Sequence, residues 1–377
     1  MSIQLFTPNF RVEECLEEVR ECLEKGWTGL GFKTQEIEEK WKEYTKLPYA
    51  HFLSSATAGL HLALEIFKRE NGWDNDDEVI TTPLTFISTN HAILYADMKP
   101  VFADVDEYLC LCPESVEKAI TSKTKALIFV GIGGNAGQYN RIRELCTKHN
   151  IKLVLDAAHM AGTRINGNHA GFDADVSVFS FQAVKNLPTA DSGMICFQDE
   201  ALDKRARKLS WLGIDKDTFA RSANKGAYKW RYDVDEIGYK YHGNSIMAGL
   251  ALVGLKYLDR DNAFRRQLAS WYRSELKDCD GLTVVPVSGD CESSHHLIQI
   301  RVQNRDSVLQ KLNDAQIYPG VHYSSNIEYG PYKRELSDFP KSTAASNEII
   351  SLPMHMNLTF NDVVAITTEL KRIVSAS

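Results

Sequence analysis

The sequence lacks an excess of basic residues and any long hydrophobic run, and both absences exclude classes of function. Its 377 residues carry 43 lysines and arginines against 50 aspartates and glutamates, a formal net charge of −7. This balance offers no positive footprint for nucleic acid or for an anionic membrane surface. No apolar run approaches the length of a transmembrane helix, and the N-terminal segment turns acidic at once, unlike a signal peptide. We therefore expect a cytoplasmic protein with no nucleic-acid and no membrane partner.

Nucleotide-binding and metal-binding signatures are missing as well. The chain contains neither the GxGxxG pattern of dinucleotide-binding folds nor the GxxxxGK[ST] pattern of P-loop proteins. Its 8 cysteines are scattered, and only Cys110 and Cys112 form a close pair, so the second cluster that a zinc site requires is absent. We expect reduced, mostly packed thiols and no bound metal.

Between about residue 50 and residue 200, short apolar segments alternate with amphipathic ones. This alternation predicts an α/β domain built on a mostly parallel sheet with both faces covered. The predicted strands are Ala50 to Leu53, Glu78 to Thr81, Pro100 to Ala103, Ala126 to Val130, Lys152 to Leu155, Val176 to Phe179 and Met194 to Phe197. The predicted helices include Ala58 to Glu70, Glu114 to Ile120 and Gln138 to His149.

The two ends of the chain show other patterns. Residues 11 to 47 read as helical, with a break at the glycines of Gly26 to Gly31. A long helical pattern runs from Ser245 to about Lys277, and beyond it strands at Leu282 to Val287 and His295 to Val302 accompany helices near 305–315 and 359–373. We predict a large α/β domain at residues 1–245 and, at 246–377, a bridging helix with a small α+β domain.

In open α/β sheets ligands bind at the carboxyl ends of the strands, and the loop after the first predicted strand reads as a possible anion site. It has the sequence SSATAGLHLAL, Ser54 to Leu64, and small residues lead directly into a helix. The free N–H groups and the dipole at a helix start suit a phosphate, to which Thr57 can add a hydroxyl. An ordinary helix cap made by serine or threonine is the alternative.

Two further loops carry a carboxylate and an amine. Asp156 directly follows an apolar strand, where it can pair with a cationic ring nitrogen; at an effective dielectric of about 20 such a contact is worth roughly 4 kcal/mol. His159 can lie beside the same ring or simply pack. Ser180 follows the predicted strand Val176 to Phe179, and Lys185 lies five residues later. Taken singly, a helix-capping aspartate and a solvated surface lysine are the alternatives.

Taken together, the three loops match the requirements of one cofactor. Pyridoxal 5′-phosphate needs a phosphate site, a carboxylate for its ring nitrogen and a lysine amine that forms a Schiff base with its aldehyde. Lys185 supplies the amine, Asp156 keeps the ring an electron sink, and Thr57 with Ser180 hold the phosphate.

Over nearly its whole length the chain resembles the nucleotide-sugar aminotransferases of the DegT/StrS type, which have the aspartate-aminotransferase fold (fold type I of the pyridoxal phosphate enzymes). The segments that carry the likeness are SSATAGLHLAL, Asp77 to Asp106, LVLDAAHMAG, FSFQAVKNLPTADSGMI, Gly238 to Leu252 and SLPMHMNLT. The resemblance implies that Lys185 is the catalytic lysine. It further implies a set of cofactor-binding residues: Thr57, Ala58, Phe86, Asp156, His159 and Ser180, with Phe86 stacked on the ring.

The resemblance also implies a homodimer whose subunits share their active sites. A residue in the segment GYKYHGN, at the start of Gly238 to Leu252, is expected to reach the partner's cofactor phosphate, and here the chain departs from its relatives. Asparagine and arginine are commoner where this chain has Lys240 and His242, and Asn244 follows, so each of the three is a candidate. A second departure is VGIGGN, Val130 to Asn135, where relatives often carry histidine and tyrosine before a glycine.

The retained lysine distinguishes between reactions within this family, because related sugar 3-dehydratases replace it with histidine. We expect a two-stage exchange in which L-glutamate donates the amino group and a nucleotide-linked keto-deoxysugar accepts it, in surface glycan biosynthesis. The candidate substrate-binding residues are Tyr228, Arg231, His322 and Tyr323. An aminotransferase or dehydratase acting on a free cyclitol or another ketone is an alternative, and a non-catalytic regulator that binds the cofactor is another.

Overall fold

The structure, a computed structural model, describes residues 2–214 and 232–375, and this part of the chain forms eleven α-helices and fifteen strands. The helices α1 to α11 are Val12–Glu24, Phe32–Thr45, Ala56–Asn71, Ile87–Tyr95, Pro113–Ala119, Tyr139–His149, Glu200–Ser210, Ser245–Leu276, Arg305–Asp314, Pro340–Glu348 and Phe360–Ser375. The strands β1 to β15 are Ile3–Gln4, Tyr49–Leu53, Glu78–Thr81, Lys99–Phe102, Thr124–Val130, Lys152–Asp156, Arg164–Ile165, Asn168–His169, Val176–Ser180, Gly193–Phe197, Leu282–Val284, Cys291–Glu292, Ile298–Val302, Ile317–Tyr318 and Ile349–Leu352.

Seven strands form the central sheet, in the order β2-β10-β9-β6-β5-β3-β4. Strand β10 runs antiparallel to both of its neighbours, whereas the other pairs are parallel. These are the seven strands predicted from the sequence, and their bounds differ from the predicted ones by two residues at most. The prediction of a mostly parallel α/β sheet is confirmed.

The sheet is buried on both faces, which explains why its strands read as continuous apolar runs rather than as alternating ones. In β5, Leu127 and Phe129 belong to one hydrophobic cluster and Ala126 and Ile128 to the other. Helix α3 packs on one of these faces, against β9 and β10. Because side chains alternate along a strand, apolar residues are required at every position of such a strand.

The long helix α8 joins the sheet to the C-terminal part of the chain. It packs against α1 and α2, the two helices into which the predicted helical segment 11–47 divides at Gly26 to Gly31. Asn244 caps its start, since the side chain accepts a hydrogen bond of 3.0 Å from the backbone N–H of Met247. Within residues 2–214 and 232–375, neither this helix nor any other has the length and apolar character needed to cross a membrane.

The C-terminal unit has its own antiparallel sheet, in the order β11-β13-β15, covered by α9 and α11. Its hydrophobic core includes Leu268 and Tyr272 from the second half of α8. The first strand of the chain, β1, pairs with β14 of this unit, so the N-terminal residues lie against it. The division at residue 245 stays a prediction.

Candidate active site

Five parallel strands end at one edge of the central sheet, and the loops that follow them surround a cavity of about 500 Å³. The strands are β2, β3, β5, β6 and β9. Segments from the N-terminus and from the C-terminal unit close the cavity on the other side. The lining residues used below are Phe6, Ser55, Ala56, Thr57, Phe86, Asp156, His159, Ser180, Gln182, Lys185, Asp191, His296, His322 and Tyr323.

The start of α3 forms the polar end of the cavity. Ser55 is the N-cap residue, and its hydroxyl accepts a hydrogen bond of 3.1 Å from the backbone N–H of Ala58. The first N–H groups of a helix have no partner within the helix, so this end is suited to an anion. Thr57 and Ser180 line the same end, whereas Ala58 is not among the cavity-lining residues.

A glycine in β10 allows the sheet to approach this helix start. A Cβ atom at Gly193 would lie 2.7 Å from the backbone nitrogen of Ala56 and 2.8 Å from the carbonyl oxygen of Phe179. Both neighbours are backbone atoms, and moving them aside would cost free energy. Gly193 therefore keeps the Ser55–Thr57 turn close to the end of the sheet.

Asp156 is the last residue of β6, and its side chain is buried, with 4% of the residue exposed. Its carboxylate accepts hydrogen bonds from the Thr89 hydroxyl at 2.7 Å and from the Ala158 backbone N–H at 3.1 Å. Burial raises the pKa of Asp156, and the hydrogen bonds together with the charge of Lys185 counteract that rise. No lysine, arginine or histidine of the described residues forms a salt bridge with this carboxylate.

Lys185 lies in the turn that follows β9, where its backbone N–H donates to the Gln182 carbonyl oxygen at 2.8 Å. Its side chain forms part of the cavity wall and makes no salt bridge within the described part of the chain. Burial lowers the pKa of the Lys185 amine to about 8, although Asp156 favours the charged form. An amine in this state is partly neutral near physiological pH, as nucleophilic and proton-transfer chemistry requires.

Aromatic rings line the remaining walls. Phe86 is 58% exposed, and the centroid of its ring lies 5.9 Å from that of Tyr323. The rings of His159 and His296 lie 4.3 Å apart, and burial lowers the pKa of both well below the usual value for histidine. Burial also lowers the pKa of His322, to about 4. The histidines are therefore neutral at pH 7.

The structure brings most of the predicted site residues into this one cavity. They are Thr57, Phe86, Asp156, His159, Ser180, Lys185, His322 and Tyr323. Asn244 caps α8 instead, and Lys240 stacks on Trp211, with its amine 3.5 Å from the ring centroid; neither lines the cavity. Tyr228 and Arg231 lie outside the described residues.

Several cavity residues were not predicted from the sequence. Ser55 could have been found, because a serine directly before a predicted helix is a frequent N-cap. Thr89 lies outside the cavity lining and acts through its bond to Asp156, and the sequence gives no signal for that contact. Phe6 and His296 come from distant parts of the chain, and no local pattern brings them together, whereas Asp191 lies only six residues after Lys185.

The residues present fit pyridoxal phosphate. A buried carboxylate and a partly buried amine, both without a salt-bridge partner in the described chain, face one cavity, together with a helix start and an exposed phenyl ring. An unpaired buried charge is costly, so this arrangement indicates a bound ligand with complementary charges. A protonated ring nitrogen, an aldehyde and a phosphate provide that complement.

Comparison with known proteins identifies the family. The sequence profile of the DegT/DnrJ/EryC1/StrS aminotransferase family matches residues 10–371. The chain belongs to this family. Solved relatives include forms with pyridoxal phosphate and with pyridoxamine phosphate, so the cofactor predicted from the sequence is confirmed. The protein is a pyridoxal phosphate-dependent sugar aminotransferase, as the family and its structural neighbours show.

Relatives of this chain match it from end to end. The spore coat polysaccharide biosynthesis protein SpsC of Bacillus subtilis is 32% identical, over 97% of this chain and 95% of that protein. The aminotransferase TlmJ of Streptoalloteichus hindustanus is 30% identical and superposes with a TM-score of 0.91, with all of both chains covered. PseC of Helicobacter pylori, an aminotransferase involved in the biosynthesis of pseudoaminic acid, is 26% identical with a TM-score of 0.91, also over all of both chains. These neighbours confirm the predicted fold class.

Proposed function

We propose that this aminotransferase moves an amino group from L-glutamate to a nucleotide-linked keto-deoxysugar, as a homodimer with shared active sites. The observation that carries the acceptor class is the composition of the cavity wall. Among the described residues that line it there is no arginine, the side chain that normally binds a carboxylate in two-point contact. The hydroxyls of a keto-sugar can bond to the neutral polar groups of this wall, whereas the carboxylates of L-glutamate require a cation from outside this lining, which the partner subunit can provide.

The groups on the substrate side are suited to hydroxyls. His296, His322 and Tyr323 are neutral at pH 7, and each can donate or accept a hydrogen bond. Asp191 adds a carboxylate at the rim, and burial raises its pKa. Carboxylates and neutral polar groups of this kind can fix the orientation of a sugar ring.

The cofactor, when bound, supplies an aldehyde for amine exchange and a ring that withdraws electrons. Lys185 would hold that aldehyde, and its amine would hold and move the proton at the reacting carbon; its pKa of about 8 suits both roles. Asp156 keeps the ring nitrogen protonated, and its bond from the Thr89 hydroxyl fixes the carboxylate. Ser55, Thr57 and Ser180 hold the phosphate at the start of α3.

Support for the nucleotide and for the dimer comes from the relatives and from Lys240. SpsC is a spore coat polysaccharide biosynthesis protein, and PseC is an aminotransferase involved in the biosynthesis of pseudoaminic acid. A nucleotide-linked sugar is the acceptor that the resemblance to nucleotide-sugar aminotransferases implies. Lys240 has no carboxylate partner in the described chain, and burial lowers its pKa. We propose that it reaches the phosphate site of the partner subunit, where a cation is needed.

The test is a product analysis. The purified enzyme, loaded with cofactor, is incubated with L-glutamate and a panel of nucleotide-linked 3-keto and 4-keto sugars, and the products are identified by mass spectrometry. We expect an aminated nucleotide sugar and 2-oxoglutarate in equal amounts, and neither product with Lys185→Ala. Amination of a keto-inositol, with no reaction across the sugar panel, would support the cyclitol alternative and reject this proposal.

A further inference from the structure

The direction of the hydrogen bonds around His159 can be determined from the backbone. The N–H of Gly133 donates to Nδ1 of His159 at 3.0 Å. A backbone N–H can only donate, so Nδ1 carries no proton. A neutral imidazole has a single N–H, which must then be on Nε2. Burial and the charge of Lys185 lower the pKa of His159 well below its usual value, in agreement with a neutral ring.

The second nitrogen of His159 faces a tyrosine. Nε2 lies 3.2 Å from the hydroxyl oxygen of Tyr323, and because Nε2 carries the proton, the histidine donates and the tyrosine accepts. The tyrosine hydroxyl has one proton of its own to donate. No other hydrogen-bond partner for it is present in residues 2–214 and 232–375, and Tyr323 lines the cavity. Its proton is therefore directed into the cavity.

Tyr323 is held in this orientation on both sides and keeps its proton. Its ring lies between those of Phe86 and His159, with centroid distances of 5.9 Å and 6.1 Å. Burial, reinforced by the negative charge of Asp156, raises the pKa of the phenol. A phenol in these surroundings acts as a hydrogen-bond donor and not as a base.

We propose that Tyr323 is a fixed hydrogen-bond donor to an oxygen atom bound in this cavity, aimed by the chain of bonds from Gly133 through His159. The acceptor is an oxygen that gains from a donor in dry surroundings: the ring oxygen of the cofactor or the carbonyl oxygen of the keto substrate. His159 is a positioning residue in this arrangement. Only the substrate arm of the proposal rests on the proposed function, because the cofactor is common to the family.

The turn at Gly133 and Gly134 supplies the first donor. Gly133 and Gly134 have φ angles of +64° and +90°, in the region that favours glycine, and these angles turn the Gly133 N–H towards His159. A Cβ at Gly134 would lie 2.5 Å from the hydroxyl of Ser294. That hydroxyl donates to the carbonyl oxygen of His159 at 2.8 Å, so the turn and the histidine are fixed as one unit.

The first experiment needs neither cofactor nor substrate. Protein without cofactor, labelled with ¹⁵N in its histidine rings, is measured by NMR between pH 6 and pH 8, and the His159 signals are assigned by their loss in His159→Asn. We expect the Nε2–H tautomer throughout. An Nδ1–H tautomer would reverse the bond to Tyr323, and an imidazolium ring could not accept the bond from Gly133; either result would overturn the proposal, whichever substrate the enzyme uses.

The second experiment identifies the acceptor with Tyr323→Phe. Tyr329→Phe is the matched control, since Tyr329 lies six residues further along the same segment, is 46% exposed and does not line the cavity. If the cofactor ring oxygen is the acceptor, the pH titration of the bound cofactor's absorbance shifts and the glutamate half-reaction slows. If the substrate carbonyl is the acceptor, the absorbance is unchanged and kcat/KM for the keto-sugar falls about 10-fold or more. A Tyr323→Phe enzyme that matches the control in both measurements would overturn the proposal.

The role of His159 is tested by combining the variants. Because His159 acts through Tyr323, the effects of His159→Asn and Tyr323→Phe on the affected step should not add. The double variant should be no slower than the slower single variant in that step. Fully additive losses would show that His159 acts independently of Tyr323, which contradicts the proposed chain.

Discussion

Replacing Asp156 with asparagine should have opposite effects on the protein with and without its cofactor. The amide is close to the carboxylate in shape and can use the same contacts. Its oxygen can accept from the Ala158 N–H, and its NH₂ can donate to the Thr89 hydroxyl, which can turn its own proton towards Thr85, 2.9 Å away. The variant therefore changes the charge with little change in packing.

Without cofactor, Asp156→Asn should be the more stable protein at pH 7. Burial raises the pKa of Asp156 above its ordinary value of 3.8, so keeping the carboxylate ionised costs free energy in the folded state. The wild type loses stability as the pH rises from 3.8 through the raised pKa, and the variant does not. Urea unfolding between pH 4 and pH 8 should show a difference that is absent at the acid end and reaches a plateau above the raised pKa.

With cofactor, the order should reverse. Two opposite charges in contact at ~4 Å attract by about 4 kcal/mol at an effective dielectric of ~20, and the amide recovers about 1 kcal/mol as a neutral hydrogen-bond acceptor. The net loss of about 3 kcal/mol corresponds to cofactor binding weaker by about 10²-fold. Fluorescence titration of protein without cofactor measures this directly. Unchanged cofactor affinity in a correctly folded Asp156→Asn protein would refute the assignment of Asp156 to the ring nitrogen.

Three further predictions concern the amine, the core and the helix start. The rate at which Lys185 reacts with added cofactor, measured by stopped-flow absorbance, should rise with pH around a midpoint of about 8, because burial lowers the pKa of this amine to about 8. A midpoint near 10.5 would show that burial does not lower the pKa of Lys185. Glu38→Gln should destabilise the protein by about 3 kcal/mol in urea unfolding at pH 7, because a buried carboxylate paired with Arg207 is lost. Burial opposes ionisation of Glu38, but Arg207 and His51 lower its pKa to about 2, so this loss should shrink as the pH falls from 4.5 towards 2, and the exposed Glu43→Gln should change little. Gly193→Ala should weaken cofactor binding about 10-fold, because the new Cβ atom would press on the backbone at the start of α3. Unchanged affinity would show that the Ser55–Thr57 turn can move without loss of the phosphate site.

The central sheet could be predicted from the sequence because its signal is local. Each strand is a short apolar run between polar segments, and both faces of the sheet are buried, so the run itself marks the strand.

Elements in the C-terminal unit were harder to predict. Strand β15 has only four residues, Ile349–Leu352, and an apolar run of that length does not separate a strand from a buried turn of helix. Helix α4 was missed because its apolar residues show little helical periodicity.

The site divides in the same way into local and distant parts. Asp156 and Ser180 are the last residues of their strands, and the start of α3 comes soon after β2, so their positions at one edge follow from the parallel arrangement. His296 and Tyr323 approach the same cavity from the C-terminal unit, more than a hundred residues from Lys185. Their placement depends on how that unit packs on the sheet, which no local pattern of residues records.

Two side-chain hydrogen bonds anchor the segment that carries Tyr323 to α4 and to the loop before it. Asn90 of α4 donates to the side-chain oxygen of Asn326 at 2.8 Å, and Asn326 in turn donates to the carbonyl oxygen of Thr85 at 2.8 Å. Helix α4 also carries Thr89, whose hydroxyl holds Asp156. Thr89, which fixes the Asp156 carboxylate, and Asn90, which anchors the segment that carries Tyr323, therefore belong to one short helix. A substitution at Asn90 should disturb the substrate side first, because the bond from Thr89 to Asp156 does not depend on it.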